Sequence, residues 1–196
     1  ARTSRNKNFI VLVDSLIDGT PGVVFNTLSS MLLHHLIVER RIEDAAELIQ
    51  HFLKGAGTIY ESIGQEVRAP TVCVLGMQNS SLELEYTSTG PELFYVQQEK
   101  HKIISGGKAE NAKVNESVSK VSKLKGKIGA SIYLVSHDID TNYKEEQGGN
   151  TTSLKEILMK TYSLDFMRQQ EKVMEFFRGL VPEKPLDNTL IFGLNL

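Results

Sequence analysis

The sequence predicts an α+β fold, one mixed sheet with helices packed mainly on one face. Three patterns predict it. Apolar runs of strand length recur along the chain, led by Phe9-Ile10-Val11-Leu12-Val13. Residues 82–86 alternate strictly between apolar and polar, the period of a half-buried strand. From Val23 to about Phe52, apolar side chains return at three- and four-residue steps, the period of a helix. With 196 residues and 40% hydrophobic content the chain is long enough for one sizeable core, and residues 1–196 read as one domain with a basic arm at 1–8.

The first run is a buried strand. Asp14-Ser15 and the breaker cluster Asp18-Gly19-Thr20-Pro21-Gly22 then make a turn. The long helix that follows is interrupted near Arg40-Arg41. Its second half, Ile42 to Leu53, carries Glu43, Asp44 and Glu47 early and Lys54 late, the order that complements the helix dipole, and Gly55 or Gly57 is the expected stop. Strands are expected at Thr71–Leu75, Leu82–Tyr86 and Leu93–Val96, the last two forming a hairpin through residues 87–91, with Ile103-Ile104 extending the sheet.

Ala109 to Leu124 places Val114, Val118, Val121 and Leu124 on one helical face, which predicts a short basic amphipathic helix. Ile128 to Val135 is a further strand, and 136–152 an exposed loop. Thr151 or Thr152 opens a helix bearing Leu154, Ile157, Leu158 and Tyr162; Ser163 caps another that ends at Gly179; Thr189 to Phe192 is a last strand. In outline the order follows the split βαβ plan, with two C-terminal helices and a final strand appended.

Charge is the most distinctive feature. Residues 100–127 hold eight lysines against Glu110 and Glu116, whereas residues 8–99 hold twelve carboxylates against four Lys and Arg residues. Such polarity bears on partners and steering rather than on fold. Lysine without arginine or interleaved aromatics argues against reading of bases and leaves sequence-independent attraction to phosphates or acidic surfaces. The leading expectation is a non-enzymatic assembly or adaptor subunit in the cytoplasm. Lys108, Lys113, Lys120, Lys123, Lys125 and Lys127 would contact other copies in a homo-oligomer or larger complex, an acidic partner, or a nucleic-acid backbone.

The alternative is a metal-assisted hydrolase or phosphoryl-handling enzyme. Ser136-His137-Asp138-Ile139-Asp140 lies at a strand end, and a histidine with two carboxylates suits a divalent ion or proton transfer. His137, Asp138 and Asp140 would hold the ion, Asp14 and Asp18 would converge from a neighbouring strand end, and Lys108 would hold an anion. No nucleotide-loop, nucleophile-elbow or zinc-protease motif is present, so no cofactor is expected. Adjacent His34 and His35 diverge around a helix and cannot chelate one ion as an i, i+4 pair does; one is expected buried, the other at an edge. Cys73, the lone cysteine, sits in an apolar run as a buried hydrophobe, and the first apolar run is too short to span a membrane.

Overall fold

A computed structural model describes residues 2–3, 6–15, 17, 19–67, 70–90, 92–98, 100–105, 121–135, 153–179 and 191–196. In chain order the elements are β1 (Arg2–Thr3), β2 (Lys7–Asp14), α1 (Gly19–His34), α2 (Ala45–Ser62), β3 (Thr71–Gln78) and β4 (Glu83–Ser88). They continue with β5 (Glu92–Gln97), β6 (Lys100–Ser105), β7 (Ser122–Lys125), β8 (Ser131–Val135), α3 (Leu154–Thr161), α4 (Phe166–Gly179) and β9 (Ile191–Asn195).

The fold is α+β, but the strands form two sheets instead of one mixed sheet. One has the order β1-β2-β3-β4-β7, the other β6-β5-β8-β9. The β2–β3, β3–β4, β4–β7, β5–β8 and β8–β9 pairs are all antiparallel. The helical excursion between β2 and β3 therefore returns to an antiparallel neighbour, not to the parallel strand that a split βαβ unit requires. The expected hairpin of β4 with β5 is also corrected, because each belongs to a different sheet. Alternation identified both strands without showing that the chain changes sheets between them.

The chain divides into two compact units, residues 1–91 with 104–127 and residues 92–103 with 128–196. In the first, Phe9, Val11 and Val13 of β2 stand beside Val72 and Val74 of β3 on one sheet face, and α1 and α2 cover it with Phe25, Leu48, Ile49 and Phe52. Helix α1 continues as a π-helical segment, His35–Glu39, and the chain turns at Arg41, whose φ is 57°. Asp44 caps α2 by accepting from the Glu47 amide at 2.9 Å. The helix then runs through Gly55 and Gly57 to Ser62. Gly55 is not a stop: a side chain there would collide with Leu32, so the glycine lets α1 and α2 lie close at this point.

In the second unit α3 and α4 pack Leu154, Leu158 and Phe176 against Phe94, Val96, Tyr133 and Val135. Ser153 caps α3, and the Asp165 carboxylate, rather than Ser163, accepts from the Arg168 amide at the start of α4. Tyr133 donates to Gln169 Oε1 at 2.9 Å and fixes α4 to β8. Ile128 is 85% exposed beside a turn at Gly129, so β8 begins only at Ser131.

Among the described residues one segment, Gly19–Glu39, is long and apolar enough to cross a membrane by length and composition. Its Phe25, Leu36 and Ile37 are core residues of the first unit.

Candidate functional site

Asp14 is the last residue of β2, paired in register with Thr71 at the start of β3. The chain just beyond it is tightly held. Tyr60 of α2 donates its hydroxyl to the Ser15 carbonyl at 2.9 Å, and its ring lies 4.7 Å from that of Phe25. The Ile17 amide donates to Ser15 Oγ at 3.4 Å. Helix α1 starts at Gly19, whose φ of 67° sets the turn, and Pro21 falls in its first turn, where a missing amide costs nothing. The presumed turn residues 19–22 are thus the opening of the helix. A Cβ at Gly22 would overlap the carbonyl oxygen of Ile17, so only glycine lets the strand exit lie against the helix.

The same sheet end carries hydroxyls. Thr89 Oγ1 accepts from the Val72 amide at 2.8 Å, and the Thr89 amide donates to the Val72 carbonyl, closing the end of β4 onto β3. A carboxylate at a strand end, followed by a pinned loop and a helix N-terminus, is an arrangement suited to presenting a negative ligand group beside backbone amides.

Asp18, His137, Asp138 and Asp140, with Lys108, Lys113 and Lys120, lie outside the described residues. So does the 136–152 loop. Strand β8, which leads to His137, belongs to the four-stranded sheet and β2 to the five-stranded one, so Asp14 and His137 do not follow neighbouring strands as expected. His34 and His35 are both exposed, the latter 2.7 Å from Glu39, and His51 lies 3.7 Å from Glu47. Among the described residues no three His, Cys, Asp or Glu side chains group as metal ligands.

The lysine tract is not helical where it is described. Residues 122–125 form β7, with Ser122 and Leu124 half-buried, Lys123 and Lys125 exposed, and Leu124 opposite Leu84. The alternation over 122–125 has period 2, which the longer helical spacing of valines concealed. Lys123 lies 3.5 Å from Glu85, and Lys125 stands opposite Glu83 in register. Acidic β4 and basic β7 therefore complement each other within the chain. Lys127 follows the strand and is exposed.

Cys73 is fully buried, and desolvation pushes its thiol up to about 12, with the Leu12 backbone pulling it partly back. It is a core residue without nucleophilic character.

No family model matches the sequence, and no curated protein is significantly similar to it. Solved structures share its fold. The SiaA PP2C domain of Pseudomonas aeruginosa aligns with 100% of this chain and 78% of its own, at a TM-score of 0.76 and 14% identity. A serine/threonine phosphatase of S. agalactiae aligns with 97% of this chain and 88% of its own, at 0.63 and 10%. RsbX, solved in complex with magnesium, aligns with 98% and 83%, at 0.61 and 14%.

The fold is that of PP2C-type phosphatase domains, which are enzymes, and this overturns the expectation of a non-enzymatic assembly subunit. That expectation rested on missing motifs and on a charged tract that β4 and β7 in part neutralise internally. The metal-assisted phosphoryl-handling alternative is the one the fold favours. The described residues do not by themselves make a magnesium site, since no three His, Cys, Asp or Glu among them group together; Asp14 offers one hard oxygen of the kind such an ion takes.

Proposed function

We propose that this chain is a metal-dependent phosphatase that hydrolyses phosphoserine or phosphothreonine esters. The observation that carries the proposal is the alignment of the whole chain with a PP2C phosphatase domain at a TM-score of 0.76. The substrate class follows the serine/threonine phosphatase of the same fold, and magnesium, as in the RsbX complex, is the ion proposed to polarise the ester and supply the attacking water.

Within this reading Asp14 is a candidate ligand. The Tyr60–Ser15 hydrogen bond and the close approach at Gly22 hold its backbone in place, which favours a fixed donor over a mobile one. His137, Asp138 and Asp140 stay separate candidates, read from the sequence. The lysines of 100–127 are proposed to raise the local concentration of a dianionic substrate, an effect weakened by salt. The cytoplasm is the proposed compartment.

The test is phosphate release from p-nitrophenyl phosphate by wild type and Asp14→Asn, each with magnesium or manganese and with chelator. Release that requires the ion and falls at least about tenfold in Asp14→Asn supports the assignment. Equal rates in the two proteins would remove Asp14 from the site.

A further inference from the structure

Residues 19–38 include no Asp, Glu, Lys or Arg, yet one whole face of this helix is exposed. The inner face is accounted for: Phe25, Leu36 and Ile37, with Leu32 and Leu33 beside them, belong to the core of the first unit. On the outer face Thr20, Val24, Thr27, Met31, His34 and Val38 are all exposed, and they follow one another at steps of four, three, four, three and four residues, the spacing of a coiled-coil seam. Val23 is 66% exposed and Met31 64%, with Val24 and Val38 each at 39%. Thr27 asks for no polar partner there, since its hydroxyl donates back to the Val23 carbonyl at 2.9 Å. A surface helix normally carries charged residues on its outer face, and a contiguous exposed apolar stripe marks a place where something docks.

We propose that this face pairs with the same face of a second copy of the chain, the two helices running antiparallel about a two-fold axis. The sequence of steps reads the same in both directions, so an antiparallel pair sets Thr27 against the partner's Met31, Val24 against the partner's His34 and Thr20 against the partner's Val38, each contact made twice. Charge selects the orientation. Glu39, held 2.7 Å from His35, directly follows the seam, and antiparallel pairing brings it to the start of the second helix, where a carboxylate meets the positive end of the helix dipole. A parallel pair would set Glu39 against its own copy and point both dipoles the same way. The absence of charge along the seam selects the occupant: it offers nothing to an acidic or basic partner, whereas two copies meet there without stripping water from an ion. Twenty helical residues make a seam about 30 Å long. That is a smaller footprint than the ~1,600 Å² of a standard interface, so the dimer is expected in the micromolar range. The seam lies within the first unit and does not depend on the phosphatase reading.

Sedimentation equilibrium of the purified chain between about 1 µM and 1 mM should show the mean mass rising reversibly toward twice that of one chain. Met31→Glu and Thr27→Lys, each at an exposed position, should keep the wild-type circular dichroism and thermal midpoint and weaken the dimer at least about tenfold. Mixed in equal amounts, the two variants should dimerise again, because antiparallel pairing sets the new carboxylate of one against the new ammonium of the other. A wild-type chain that stays monomeric over the whole range would overturn the proposal. So would a dimer that neither folded variant weakens, or one that the mixture fails to restore. Cosedimentation of the wild type with neutral phosphatidylcholine vesicles in place of self-association would assign the face to a lipid surface and overturn it as well.

Discussion

Lys7 and Glu85 meet across a strand that carries neither. Lys7 is on β2, Glu85 on β4, and β3 runs between them, yet Nζ and Oε2 are 2.7 Å apart. The crossing passes over Gly76, where an added Cβ would come within 3.0 Å of Lys7 Cδ and 3.1 Å of the Phe9 ring. The ammonium also donates to the Glu43 carbonyl at 2.7 Å, so it ties the sheet to the residues leading into α2. Lys123 approaches the other carboxylate oxygen.

Lys7→Met should therefore destabilise the protein by about 1–3 kcal/mol, less than a fully buried pair would lose because Lys123 still neutralises Glu85. Adding Glu85→Gln should recover part of the loss. Urea unfolding midpoints of the two single variants and the double variant measure the coupling; strict additivity would show that the contact has no energetic weight.

Gly76→Val should cost more than Lys7→Met, since it displaces both Lys7 and Phe9, on the order of 2–4 kcal/mol. Unfolding curves for Gly76→Val beside Lys7→Met check the order. A smaller loss in Gly76→Val would mean that Lys7 reaches Glu85 by another path.

Tyr60→Phe removes the hydroxyl that satisfies the buried Ser15 carbonyl and should cost about 1–3 kcal/mol. Because Ser15 follows Asp14, the same substitution should weaken ion affinity in the proposed phosphatase, a change that calorimetric titration with manganese would read. Loss of stability with unaltered ion affinity would separate the pinned loop from the site.

Alkaline pH should destabilise the fold through Cys73. Its thiol ionises near 9.0 when exposed and near 12 when buried, so above pH 9 the unfolded chain releases a proton that the folded chain keeps. Stability is intact below pH 9 and falls as pH rises toward 12, at up to about 1.4 kcal/mol per pH unit. Tyr133, also raised to about 12 by burial, adds a decline above pH 10. Cys73→Ala should flatten the slope between pH 9 and 10; an unchanged slope would place the proton release elsewhere.

Local patterns announced most elements. The run Phe9–Val13 is β2, the break near Arg41 is real, and Leu154, Leu158 and Phe176 face a core as their spacing implies. Sheet membership was not legible, because β4 and β5 alternate alike whether they pair with each other or with strands distant in sequence. Residues 122–124 misled for a related reason: a four-residue strand of period 2 sits at the end of a longer helical spacing, and only its pairing with β4 decides between them. Of the candidate site, Asp14 was visible as an acid closing an apolar strand. What holds it was not, since the Tyr60 hydroxyl comes from 45 residues away and Gly22 has its role only once Ile17 lies beside it.

Phosphate release from a phosphoserine peptide, measured with manganese and then with the ion chelated, tests the central claim most directly. The account predicts steady, ion-dependent turnover that restored manganese recovers. A folded protein that releases no phosphate in either condition would contradict it.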